Sequence, residues 1–111
     1  MVLAGSQSEA ERLQAESLFH LEKVLYILEH AHGKMDVAMS ELDKFIKKNH
    51  ERLEANRRDG RRVMSQMTPD ERKSFSKRAM ERVKSVKERI DTVVRTFPDP
   101  PRIFRKLREI Q

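Results

Sequence analysis

From Leu18 onward, apolar residues return every third or fourth position along most of the chain. With Leu18 at heptad position a, the a sites are Leu18, Leu25, His32, Met39, Ile46, Leu53, Gly60 and Met67. The d sites are Leu21, Leu28, Met35, Leu42, Asn49, Asn56 and Val63. A seven-residue repeat of this kind specifies helices packed along their length. The seam is strong over residues 18–46 and weak over 49–60, where Asn49, Asn56 and Gly60 fall on it; His32 and Gly33 interrupt it earlier. These are the places where a continuous helix is least stable, since a glycine inside a helix costs about 1 kcal/mol relative to alanine.

Thr68-Pro69-Asp70-Glu71 is the sharpest local signal. It offers a hydroxyl cap, a proline at the first helical position and a glutamate at the third. From it Ala79, Val83, Val86, Ile90, Val93 and Phe97 recur at alternating steps of four and three, which predicts a helix over 69–97. Ser8 followed by Glu11 has the same capping form and predicts a helix start at or just before Ala10, with residues 1–7 frayed. Pro98, Pro100 and Pro101 end the helical pattern and predict an extended, polyproline-type connection. Beyond it, Ile103, Leu107 and Ile110 share one side of a short amphipathic helix that must dock to be stable.

The expected fold is all-α. Chain reversal near Gly33 and again at 66–68 brings Leu25, Leu42 and Val93 into one layer and Leu21, Ile46 and Ile90 into the next. Two independent turns thus agree on a three-helix bundle, the preferred architecture. The competing one is a long antiparallel hairpin in which residues 9–66 form a single helix about 85 Å long. It leaves the seam of residues 13–28 uncovered and requires dimerisation. Either way the expected organisation is a disordered stretch at 1–7, a helical bundle over 8–97, and a Pro-rich connection with an amphipathic tail over 98–111.

Composition narrows the chemistry. The chain has no cysteine, which removes disulfides, thiolate metal sites and cysteine nucleophiles. Its three glycines form no phosphate-cradling array, and carboxylate pairs such as Glu9/Glu11 and Asp70/Glu71 sit at helix starts, where they complement the helix dipole. Glu29, His32 and Asp36 would share a face of a continuous helix but match no established metal motif. No catalytic residue, cofactor or metal is expected. Neither a membrane-length apolar run nor a basic stretch leading into an apolar core is present, so a soluble, intracellular and cytoplasmic protein is expected.

The net charge of +6 is unevenly spread. Residues 1–43 hold three Lys/Arg against eight Asp/Glu, whereas residues 44–111 hold 21 against ten. Eight cations gather near the second turn: Arg57, Arg58, Arg61, Arg62, Arg72, Lys73, Lys77 and Arg78. They are the candidates for binding a polyanion such as a nucleic-acid backbone. A solvated basic surface accounts for them more simply, because the aromatic residues that stack on bases are not interleaved among them.

The other candidate surface is the first helix, which is apolar almost all round at Leu18, Phe19, Leu21, Val24, Leu25, Tyr26, Ile27 and Leu28. A helix buried on every side needs more cover than two neighbours give. The sequence therefore predicts a non-enzymatic protein–protein interaction module, in the manner of an adaptor, chaperone or structural subunit. It is expected to associate through residues 18–28 with a second copy of itself or within a larger assembly.

Overall fold

Four α-helices follow one another: α1 (Val2–His30), α2 (Met35–Ser65), α3 (Pro69–Val94) and α4 (Pro100–Arg108). The computed structural model describes residues 2–110, with side chains from residue 8. Among them there is no strand, and no helix is long and apolar enough to cross a membrane.

The chain reverses after α1. His32 and Gly33 both take left-handed backbone angles, φ 50° and φ 76°, and the Lys34 N–H donates to the Ala31 carbonyl at 3.0 Å. Two consecutive left-handed residues cannot continue a right-handed helix, and glycine takes up the second without steric cost. The single helix over 9–66 is thereby overturned in favour of the bundle. The second reversal falls where the capping signal put it. Thr68 Oγ1 accepts from the Glu71 N–H at 3.2 Å, and the Thr68 N–H donates to Glu71 Oε1 at 2.9 Å.

Other boundaries differ from expectation. The backbone of residues 2–7 continues α1, so Ser8 lies inside the helix and its pairing with Glu11 marks no start. Residue 1 lies outside the described residues. The early start is held by Ala10 and Leu13, which are buried against Val63 and Met67. The prolines at 100 and 101 do not extend the connection; they open α4, where a missing N–H costs nothing, and the Asp99 carboxylate accepts from the Arg102 N–H. Asn49 and Asn56 do not interrupt α2: Asn49 Nδ2 donates to the Phe45 carbonyl at 2.9 Å, and Asn56 Nδ2 to Ser17 Oγ at 2.7 Å.

α1 is the shared partner of the bundle. It runs antiparallel to α2, pairing Glu16 with Arg52 and Glu9 with Arg62. It runs parallel to α3, where Gln14 Nε2 donates to the Ala79 carbonyl at 3.1 Å and Arg89 meets Glu29 at 3.4 Å. α2 and α3 hardly approach one another, and α4 lies across the space between them. Its Ile103 and Leu107, with Ile110 just beyond its end, join Leu21, Leu25, Leu28, Leu42, Ile90 and Phe97 in one core. Lys106 Nζ fixes α4 to α2 at 2.6 Å from Asp43. The stretch beyond Pro98 is thus part of the bundle.

The core is divided. Leu53 and Val83 belong to the large cluster, and Leu13 to a smaller one at the far end with Ala10, Val63 and Met67. The polar Ser17–Asn56 pair lies between them on α1 and α2 and breaks the apolar seam there.

Candidate functional site

Where the apolar seam breaks, α2 and α3 stand apart over a cleft of about 770 Å³. Ser17, His20 and Leu21 of α1 form its floor. The α2 wall is Leu53, Asn56, Arg57, Gly60, Arg61, Met64 and Ser65; the α3 wall is Arg72, Val83 and Lys87. Ile110, just past α4, closes one end. The α2 wall is roughly 18 Å long at 1.5 Å per residue, or about three helical turns.

The lining is amphipathic in a definite way. Leu21, Leu53, Met64, Val83 and Ile110 make it apolar, while Arg57, Arg61, Arg72 and Lys87 make it cationic. None of the chain's 18 Asp and Glu residues lines it. Arg57 is engaged, its guanidinium 2.8 Å from Glu54 and also donating to the Glu109 carbonyl. Arg72 Nη2 donates to the Met67 carbonyl at 3.3 Å. Among the described residues, no carboxylate lies within ion-pair distance of Arg61, Arg72 or Lys87.

Gly60 stands in the middle of the α2 wall. A Cβ added there meets nothing within 4 Å, so neither crowding nor backbone geometry requires a glycine. A helix nevertheless loses about 1 kcal/mol by carrying one. What the glycine does provide is a lowered wall, over which another backbone can approach closely.

Polar atoms are unusually exposed to burial here. His20 is only 4% accessible, and its ring meets Phe45 edge-on at 5.8 Å. Burial pushes the imidazole below its ordinary 6.5, aided by Arg52 and opposed by Glu16. His20 Nδ1, Asn56 Oδ1 and Arg57 Nε are buried with no hydrogen-bond partner among the described residues, and all three residues line the cleft. Such groups cost stability in a closed core; here they line an open cleft.

The surface expected on the first helix is largely consumed by the fold. Leu21, Val24, Leu25 and Leu28 are buried in the chain's own core, and Leu18 and Ile27 are half-buried. The cover that the apolar circumference of α1 demands comes from α2, α3 and α4 of the same chain. Phe19 and Tyr26 alone stay exposed, at 52% and 59%. Lys23 sits 5.3 Å from the Phe19 ring centre, and His30 stacks on Tyr26 at 3.8 Å.

The eight cations near the turn do not form one patch. Arg57, Arg61 and Arg72 turn to the cleft. Arg58 pairs with Asp59, and Arg62 with Glu9 and Asp59. Lys73, Lys77 and Arg78 are exposed on α3, with Lys77 beside Met80 in a separate shallow depression. The reversal at Gly33 also removes the shared face of Glu29, His32 and Asp36, and among the described residues no group of three metal-capable side chains is gathered.

Lys87, Val83, Met64 and Leu53 were not singled out by sequence as site residues. The available signal was the polar seam at Asn56 and Gly60, which reads as helix weakness until the third wall is known. No protein-family model, curated protein or solved structure matches the chain.

Proposed function

We propose that the chain is a non-enzymatic protein-interaction module, in the manner of an adaptor or chaperone, whose cleft between α2 and α3 receives an amphipathic helix of a partner protein. The observation that carries this reading is α4. It is itself a short amphipathic helix lying between α2 and α3, anchored by Ile103 and Leu107 with Ile110 just beyond its end, and the cleft begins where it ends. The chain fills one half of the space between α2 and α3, and the other half keeps an apolar strip of Leu21, Leu53, Met64, Val83 and Ile110 along a wall of about three turns. Helix-in-groove recognition uses this geometry, with anchors at i, i+4 and i+7.

Gly60 supports the same reading, because it thins the wall at the cost of helix stability. Association through residues 18–28 keeps only Phe19 and Tyr26 as accessible anchors and has less to bury. A polyanion gains little from an apolar floor, and part of the expected cationic cluster is already paired.

The test uses a synthetic helix of about twelve residues, held helical by a side-chain staple, with leucines at i, i+4 and i+7 and glutamines elsewhere. Titrated into the methyl-labelled chain, it is expected to shift the methyl resonances of Leu53, Met64 and Val83. Shifts confined to residues around Phe19 and Tyr26, or none at all, contradict the proposal.

A further inference from the structure

We infer that the helix received by the cleft is acidic, with carboxylates flanking its apolar stripe set against Arg61 on one wall and Arg72 and Lys87 on the other; this rests on the reading of the cleft as a helix site.

The two halves of the groove carry opposite charge. The covered half meets α2 near its acidic beginning, where Asp36, Glu41 and Asp43 lie, and its occupant α4 is basic. The match is direct: Lys106 Nζ lies 2.6 Å from Asp43, a hydrogen-bonded pairing that holds that carboxyl below its usual range and raises the lysine. In the open half the sign is inverted. Four cations line it without a single Asp or Glu, although the chain carries 18.

Elsewhere pairing is mixed: Arg12, Lys44, Arg52, Arg89 and Arg95 each have a carboxylate neighbour, whereas Lys73, Lys77 and Arg78, exposed on α3, have none among the described residues. Arg61, Arg72 and Lys87 have no such neighbour among the described residues, and they occur on both walls. Opposed like charges across a cleft repel and are offset when an anionic partner enters between them. A duplex nucleic acid satisfies the cations but leaves the half-buried Met64 and Val83 uncovered, whereas an acidic amphipathic helix satisfies both.

Three stapled peptides with one leucine stripe and Glu, Gln or Lys at the flanking positions separate the possibilities by fluorescence anisotropy with the full chain. The Glu peptide is expected to bind about ten-fold tighter than the Gln peptide at low salt, an advantage that shrinks as salt rises. The Lys peptide is expected to be weakest. Reversal of Arg61→Glu, Arg72→Glu and Lys87→Glu together should invert that order, and each single reversal should shift it part of the way. All three are exposed, and circular dichroism confirms that each variant is folded. Equal binding of the Glu and Gln peptides overturns the acidic partner and leaves the cleft reading standing. Failure of all three peptides overturns both, and displacement of the Glu peptide by a short duplex RNA at lower concentration than by free peptide overturns the inference in favour of a polyanion.

Discussion

Asn56 of α2 donates to Ser17 of α1 at 2.7 Å in the gap between the two apolar clusters. The pair gives the Asn56 amide nitrogen its partner where an apolar side chain would otherwise knit the clusters together, while Oδ1 keeps none among the described residues. Ser17→Ala leaves that amide unpaired and is expected to cost about 1–3 kcal/mol in urea unfolding. The double variant Ser17→Ala with Asn56→Leu removes both partners and is expected to recover most of the loss. Additive losses in the double-mutant cycle contradict a bonded pair.

Ile103 is fully buried and is the central anchor of α4. Ile103→Ala is expected to destabilise the chain by about 2–5 kcal/mol, the range for a large-to-small change in a packed core. Asp43→Asn, which breaks only the surface tie to Lys106, is expected to have a much smaller effect. Amide exchange distinguishes α4 as an integral element from a loosely attached tail. Loss of protection throughout the bundle in Ile103→Ala supports the first, and loss confined to residues 100–108 contradicts it.

The fold was legible where sequence signals are local. Thr68, Pro69 and Glu71 define a helix start by chemistry that tertiary packing had no reason to override, and the observed capping box is the one their order specifies. The turn at Gly33 needed tertiary agreement as well, because a lone glycine is tolerated inside a helix and His32 in a left-handed conformation announces nothing in advance. The start of α1 was misplaced because Ser8 and Glu11 satisfy the cap pattern, while the buried contacts of Ala10 and Leu13 with Val63 and Met67 carry the helix further back. Periodicity identified the apolar face of α1 but not what covers it, so residues destined for the core were read as a surface. The cleft was hidden for a related reason. Its walls come from helices that touch α1 more than each other, a relationship that no single-helix pattern encodes.

His20 gives the bundle a pH dependence of known sign. Burial lowers its pKa in the folded state, so between the folded and unfolded values the unfolded chain binds the extra proton. Its contribution to stability is therefore full above the ordinary 6.5 and is lost as pH falls below it. Unfolding free energies at about pH 7.5 and about pH 5.5 are expected to fall more for the parent chain than for His20→Leu, which has no group to protonate. Glu16 and Arg52, the charged neighbours that oppose and reinforce the shift, stay in place in both. An equal fall in the two proteins contradicts the assignment.

Gly60 offers the most direct test of the cleft, because the fold and the proposed function place opposite demands on it. Gly60→Leu removes a helix-destabilising residue, meets open space and fills the trough, so thermal denaturation should show a Tm equal to or above that of the parent. Affinity for the acidic stapled helix, measured on the same samples, is the decisive quantity. The account predicts a loss of ten-fold or more, on the order of 1.4 kcal/mol, in a protein that is no less stable; undiminished binding by Gly60→Leu would contradict it.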